Sequence, residues 1–332
     1  MERGTYNEED IEDSEVANLE QTTRNGLDQG AKTGKALRIR KQGFYDMING
    51  YLFILPMLLL TMTLVVIPII LSGLISFTEW NFIAGLDGLN FIGFENYNNL
   101  LHDEGFHRAL RNNVIMIAVV PVSMLFALVL AALINQATYF KDFFKVIYFM
   151  PFISSFVAIA LLWRVLFHPN SGPINGFLRG IGIENPPLWL ADPQFALIAV
   201  MIIMVWTSLG FNMVIYLAGL QGIPKDIYEA ADVDGASPLR QFFTITLPML
   251  SPTTFFLLIT GVVGSFKVFD LIMVLTSGGP AGSTSVIVYY LYEAAFVNLQ
   301  SGYASAMGIV LLLLILFVTL IQWVGQKKWV NY

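Results

Sequence analysis

Six long apolar runs constrain this chain more than any other feature of its sequence. A bilayer hydrocarbon core about 30 Å thick needs roughly 20 consecutive apolar helical residues. Runs of about that length occupy residues 51–78, 112–134, 146–167, 195–220, 251–276 and 304–324. A backbone crossing lipid must satisfy its own hydrogen bonds, so each run predicts a helix; barrel strands would instead alternate apolar and polar residues over about ten positions. Composition agrees. Hydrophobic residues make up 56% of the 332 positions and charged residues 13%, against roughly 45–50% and 25% in soluble domains. The expectation is an all-α polytopic membrane protein with six transmembrane helices.

The same composition excludes several chemistries. Cysteine is absent, which removes disulfides, thiolate nucleophiles and cysteine metal sites. Three histidines and no clustered carboxylates within a run give a metal or catalytic centre nothing to rest on. Much of the acid behind the formal charge of −6 lies between Glu2 and Glu20. Residues 1–36 accordingly predict a disordered, acidic and polar tail, too poor in apolar surface to offset its ordering entropy. Residues 37–50 read as an interfacial lead-in, basic and partly amphipathic, with Phe44 and Tyr45 at headgroup level, or as a simple orienting flank. No secretory leader is predicted, because the first apolar stretch starts only at Tyr51 and is long enough to span.

Basic residues set the orientation. Lys32, Lys35, Arg38, Arg40 and Lys41 precede the first run. Lys141 and Lys145 lie between the second and third, Lys225 and Arg240 between the fourth and fifth, and Lys327 and Lys328 after the last. With six crossings all four clusters fall on one side, which the positive-inside rule makes cytoplasmic, together with both termini. Arg108, Arg111 and Arg179 fall on the other side.

Between the fourth and fifth runs stands a hydrophilic stretch, residues 221–248, on the cytoplasmic side. Pro224 suits the start of a short helix, and Asp226 and Glu229 put negative charge near its positive end. Gly235 can close that helix in the left-handed conformation, and Ser237-Pro238 reads as a cap and first-turn proline for a second helix. The residues alone leave two readings, a docking hairpin and a solvated connector. The spacing Glu229-Ala230-Ala231, three residues, Gly235, nine residues, Ile245-x-Leu247-Pro248 resembles the EAA loop of the membrane subunits of bacterial ATP-binding-cassette (ABC) importers. A second triplet, Glu293-Ala294-Ala295, has Leu299 in the glycine's place and falls on the outer side, so it reads as a chance match.

The stretches "YLFILPMLLL", "FIGFENYNNLL", "FDLIMVLTSGGPAGSTSVIVYYLYEAAF" and "GYASAMGIVLLL" are similar, in order and spacing, to the carbohydrate-import branch that includes maltose, glycerol-phosphate and multiple-sugar permeases. That resemblance covers nearly everything after Tyr51 and implies the type I importer permease fold for residues 51–332. It also implies a multi-pass protein of the bacterial cytoplasmic membrane, paired with a second, homologous permease, two ABC ATPase subunits and an extracytoplasmic solute-binding protein, with no nucleic acid partner. The external insertion of some maltose permeases has no counterpart in residues 79–111. A phosphate-cradling loop is missing too: Gly34-Lys35 is followed by Ala36, with no glycine at position 29. The resemblance therefore places ATP and magnesium on the partner ATPase. No cofactor is expected on this chain, and Glu229 to Gly235 is expected to seat in a cleft of that ATPase.

The resemblance puts a substrate pathway between the fourth and fifth runs. Candidates are Thr207, Ser208, Phe211, Asn212 and Tyr216 on one side and Gly264, Ser265 and Lys267 on the other, with Trp206, Met204, Gly261, Val268, Phe269 and Asp270 nearby. Aromatics can stack on sugar faces while short polar groups meet hydroxyls; the same aromatics and glycines also serve plain helix packing. Lys267 lies ~28 Å beyond Pro248 at ~1.5 Å per helical residue, close enough to the far surface to snorkel, and Asp270 is spaced to pair with it. The alternative function is a stand-alone secondary transporter of small polar solutes, which would need ionisable groups or an ion site at mid-depth.

Overall fold

The computed structural model describes residues 47, 49–136 and 139–330, without the side chain of residue 86. The predicted tail, nearly all of the lead-in and the first basic cluster lie outside the described residues. Contacts divide the chain into two units, residues 1–70 and 71–332.

The described part of the first unit is helical and supplies most of α1 (Asn49–Ile75); among its described residues none is buried. Its helix widens to a π turn at Met62–Val66, just before Pro68. A proline ring clashes with the carbonyl four residues back, and the wider turn moves the Leu64 carbonyl aside. The same device recurs in the second unit, where the π turn Phe242–Thr246 precedes Pro248.

In the second unit the end of α1 is followed by a two-stranded hairpin, β1 (Thr78–Glu79) against β2 (Asn90–Phe91), antiparallel with Thr78 opposite Phe91. The helices that follow are α2 (Glu95–His102), α3 (Glu104–Gln136), α4 (Lys141–Ile153), α5 (Phe156–Leu166), α6 (Pro173–Gly180), α7 (Pro193–Gln221) and α8 (Lys225–Val233). Then come α9 (Pro238–Met249), α10 (Ser251–Phe266), α11 (Asp270–Leu275), α12 (Ile287–Val297) and α13 (Ser301–Gln326). The long helix α7 packs chiefly on α3 and α4. Gly210 makes the second contact possible: a Cβ there would stand 2.0 Å from the Tyr148 carbonyl oxygen, so the two backbones meet where only glycine fits. Met213 and Tyr216 of α7 share one buried cluster with Ala127, Ala131, Leu257 and Met307. Phe143, Leu161 and Phe317, by contrast, are among many large apolar side chains left exposed. Such a surface is untenable in water and ordinary against lipid.

Four helices are individually long and apolar enough to cross a membrane, and two bent pairs bring the number to six. Two of the expected spans are corrected in form. The third is not one helix. Helices α4 and α5 meet at 99°, because Ser154 and Ser155 are both extended, with ψ of 151° and 130°, three and four residues after Pro151. The fifth does not run on to Thr276. It leaves the helix at Lys267, and Phe269 is non-helical before α11 begins. Its length comes from the other end, where α9 joins α10 at 61° ahead of Pro252, a residue that cannot donate into a continuing helix. Both errors have one cause: hydropathy measures how much apolar chain is present, not whether that chain stays straight.

Candidate functional site

Two candidate sites follow from this framework, a cavity among the spans and the hairpin between α7 and α10. The cavity holds ≈ 330 Å³, and its walls come from α3, α4, α5, α7, α10 and the break before α11. Of the residues singled out from sequence, Thr207, Ser208, Phe211, Asn212, Gly264, Ser265 and Lys267 all line it, as do Met204, Gly261, Val268, Phe269 and Asp270. Tyr216 does not. It is buried and donates to Thr254 Oγ1 at 3.3 Å, which makes it a packing residue. Trp206 turns away to meet Trp163 edge-on.

Sequence reasoning missed the other walls, Val119, Val120 and Ser123 of α3, Phe152 of α4 and Phe156 of α5. Phe152 stacks on Phe211 with ring centroids 4.9 Å apart, so the aromatic platform has two parts. Ser123 receives a 3.1 Å bond from Asn212 Nδ2. Deeper polar ties fix the frame: Asn113 donates to the Ser265 carbonyl at 3.2 Å and accepts from Ile287 N–H at 2.9 Å, and Asn112 donates to the Ser285 carbonyl at 2.8 Å. A buried amide at membrane depth needs such partners. The Asn112-Asn113 pair at the head of an apolar run was the available signal.

The hydroxyls of Thr207 and Ser208 both bond the Met204 carbonyl, at 3.1 and 2.7 Å, and that of Ser265 bonds the Val262 carbonyl at 2.7 Å. Each retains acceptor capacity. Lys267 and Asp270 are exposed at the cavity wall, but the expected pair does not form: the only ion pair among the described residues is Lys145–Asp142 at 3.1 Å. Each charge instead sits at a helix end that suits it, the lysine at the C-terminus of α10 and the aspartate in the first turn of α11.

The hairpin has the predicted form. Pro224 precedes α8, and Gly235, at φ +74°, ends it. Ala236 N–H bonds the Ala231 carbonyl at 2.9 Å and Gly235 N–H bonds that of Asp232 at 3.0 Å, the paired bonds of a Schellman turn. Ser237 caps α9 by accepting from Arg240 N–H. Tyr228 and Thr246 share a 2.8 Å hydroxyl bond and Gln241 donates to Asp232, so the two helices are clasped at both ends. Glu229, Ala230 and Gly235 are exposed, Ala231 and Ile245 half-buried, and Leu247 and Pro248 lie on α9 as it enters the membrane span. Val233 on α8, 88% exposed, and Leu239 on α9, 71% exposed, add apolar surface to the hairpin.

Comparison with known proteins gives a consistent result. Residues 110–329 match the family model described as binding-protein-dependent transport system inner membrane component. A probable ABC transporter permease of Pyrococcus horikoshii is 36% identical over 271 residues, covering 81% of this chain and 92% of that protein. The lactose transport system permease LacF of Rhizobium radiobacter is 34% identical over 291 residues, covering 86% and 96%. Among solved structures, a bacterial ABC transporter involved in import of the acidic polysaccharide alginate aligns with a TM-score of 0.74 and 25% identity over 88% of this chain and 99% of that one. A bacterial alginate ABC transporter in complex with a pentasaccharide-bound periplasmic protein aligns at 0.70 and 26%, over 82% and 91%.

Proposed function

This chain belongs to the family of binding-protein-dependent transport system inner membrane components, and from that premise we propose that it is the permease subunit of an ATP-driven importer for a sugar, oligosaccharide or related carbohydrate. The observation that carries the substrate class is the ≈ 330 Å³ cavity. It combines a two-ring platform, Phe152 and Phe211, with the hydroxyls of Thr207, Ser208 and Ser265 and the amide of Asn212, within the ~300–1,000 Å³ usual for small-molecule sites. Relatives that move lactose and alginate support the same class.

In this reading the clustered basic residues face the cytoplasm, as do both termini, and cargo arrives from an extracytoplasmic binding protein. A second, homologous permease completes the pathway, and two ATPase subunits hold ATP and magnesium. The exposed Glu229 carboxylate meets a basic group on one ATPase, where a charge-assisted bond is stronger than a neutral one. Closure of the ATPases moves the clasped α8–α9 hairpin, and the continuous backbone from α9 into α10 carries that movement to Gly261, Gly264 and Ser265 at the cavity. Access then alternates between outward and inward states.

The test is uptake into proteoliposomes holding the whole complex, with ATP inside and the loaded binding protein outside. ATP-dependent uptake is expected, and Phe211→Ala is expected to cut it at least tenfold while the complex still co-purifies. Uptake that follows an ion gradient and ignores ATP would install the secondary transporter instead. Full uptake by Phe211→Ala would make the cavity a packing defect.

A further inference from the structure

Residues 167–192 join the end of α5 to the start of α7 and contain α6. Helix α7 runs 29 residues from this segment toward the α8–α9 hairpin, ~43 Å at ~1.5 Å per residue, so the segment lies at the opposite end of the spans. Several of its polar side chains bond the segment's own backbone. Asn175, 1% exposed, uses its whole amide: Nδ2 donates to the Pro169 and Pro187 carbonyls, both at 3.1 Å, and Oδ1 accepts from Trp189 Nε1 at 2.7 Å. Arg179 donates to the carbonyls of Pro169 at 2.7 Å and Asn170 at 3.1 Å. A Schellman turn closes α6: Ile183 N–H bonds the Leu178 carbonyl and Gly182, at φ +97°, donates to that of Arg179, both at 3.0 Å. Trp189 packs on Phe167, ring centroids 5.1 Å apart. Four large apolar side chains are left outside this braced segment: Phe177, 68% exposed, Ile181, 60% exposed, Ile183 and Leu188.

A segment braced by its own polar groups, with large apolar side chains outward, suits an apolar surface, since water favours the reverse arrangement. We infer that residues 173–188 form an interfacial element, seated in the headgroup–acyl boundary of the bilayer with Phe177, Ile181, Ile183 and Leu188 among the lipid chains. Continuity with the spans identifies lipid as the occupant. Helix α5 enters the segment with Leu161, Leu162 and Val165 exposed, so the lipid-facing surface of that span reaches the segment's first residues. Arg164, exposed in the last turn of α5, is placed to reach lipid phosphates, as basic side chains at span ends do. At eight residues α6 is ~12 Å long, too short to cross a core about 30 Å thick. Phe177 and Ile181 are four residues apart and share one side of the chain, which suits a helix lying along the membrane surface. The seat has a mechanical consequence. Helix α5 carries Phe156 to the cavity and α7 carries Phe211, and an interfacial element between them fixes the depth of both while α10 follows the α8–α9 hairpin.

The chain has no cysteine, so single cysteines report position directly. Phe177→Cys, Ile181→Cys and, as a water-facing control, Glu184→Cys would each carry an environment-sensitive fluorophore in the complete complex, in nanodiscs of phosphatidylcholine and phosphatidylglycerol. Lipids bearing a nitroxide high on the acyl chain should quench positions 177 and 181 at least twofold more than position 184, and aqueous iodide should show the opposite order. Iodide quenching at 177 and 181 equal to that at 184 would overturn the inference and make the segment a solvated loop. Weak quenching of 177 and 181 by both agents would overturn it as well, because a protein partner rather than lipid then covers them. A fluorophore can itself partition into lipid, so the unlabelled cysteines give a second reading. Positions 177 and 181 should react with a charged, membrane-impermeant thiol reagent at least tenfold more slowly than position 184; equal rates would sink the inference. Neither reading depends on transport, so a complex that takes up no carbohydrate would count against the importer reading alone.

Discussion

The chain contains Glu-Ala-Ala twice, at 229–231 and 293–295, and the two copies fold more alike than their sequences suggest. Each is helical, and four residues after the second alanine the backbone turns left-handed, at Gly235 with φ +74° and at Leu299 with φ +57°. The surroundings are opposite. Glu229 and Ala230 are exposed, and among the described residues no hydrogen bond or ion pair uses the Glu229 carboxylate. Glu293 accepts from Tyr289 at 3.2 Å, Ala294 is 3% exposed, and their helix is tied through Tyr290 to Asp103 at 2.8 Å. The first triplet is left open, as the proposed docking to an ATPase requires. The second has already met its partners within the chain. In the proposed reading a tripeptide takes its docking role from what is left unsatisfied around it, and the difference predicts separable defects.

The largest contrast is in ATPase docking. If Glu229 meets a basic group on the ATPase as proposed, Glu229→Lys replaces a charge-assisted bond with like-charge repulsion, costing about 2–5 kcal/mol, so co-purification of the ATPase should fall at least tenfold while membrane insertion is kept. Glu293→Gln retains an acceptor for Tyr289 and should leave docking within twofold. Equal effects at the two glutamates would abolish the distinction.

The next contrast is in stability. Gly302 stands three residues after Leu299, and a Cβ on it would come within 1.9 Å of the Thr78 carbonyl oxygen. Backbone cannot yield as a side-chain tip can, so Gly302→Ala should destabilise the outer end by about 2–3 kcal/mol. That loss should appear as a lower Tm of the detergent-purified protein, with ATPase docking unchanged at temperatures where it stays folded. Normal stability would mean that the region around the second triplet is looser than its packing indicates.

How much of this was legible beforehand depends on distance along the chain. The left-handed Gly235 and the Ser237 cap depend on neighbours within a few residues, and the local order of residues identified them. Seven of the eight residues that the family resemblance put on the pathway line the cavity; Tyr216 does not, because its side of α7 is buried against α10, through Thr254. The bend at Ser154–Ser155 and the break at Lys267 were invisible, since lipid-compatible residues continue through both. Asp103 was unreadable for a further reason: its partners Tyr290 and Tyr303 lie 187 and 200 residues away. The left-handed backbone at Leu299 had no glycine to announce it.

Asp103 gives a smaller, pH-dependent contrast. Burial raises its carboxyl pKa, but bonds from Tyr303, Tyr290, Phe106 N–H and Gly105 N–H outweigh burial and hold it below the usual carboxylate range. A depressed folded-state value contributes stability above the unfolded value of about 3.9, and this is lost as pH falls through the folded value. Wild-type Tm should therefore drop on acidification below about pH 4. Asp103→Asn should lower Tm at neutral pH by an amount corresponding to about 1–2 kcal/mol and shrink the acid-dependent drop. Neither change should reach the first triplet, so ATPase docking at neutral pH should match wild type.

The smallest effect isolates backbone from contact at the first triplet. A Cβ on Gly235 would meet nothing within 4 Å, so Gly235→Ala introduces no clash within the chain and only the strain of a left-handed alanine, about 1 kcal/mol. That strain loosens the closing turn of α8 and should weaken ATPase docking about fivefold. Gly235→Asn should do less, because asparagine tolerates the conformation. The order Gly, Asn, Ala would show that the glycine serves the turn. If alanine and asparagine instead weaken docking equally and by more than a hundredfold, the open space beside Gly235 is filled by the ATPase itself. The glycine would then be part of the contact surface, and the two triplets would differ in their turns as well as in their surroundings.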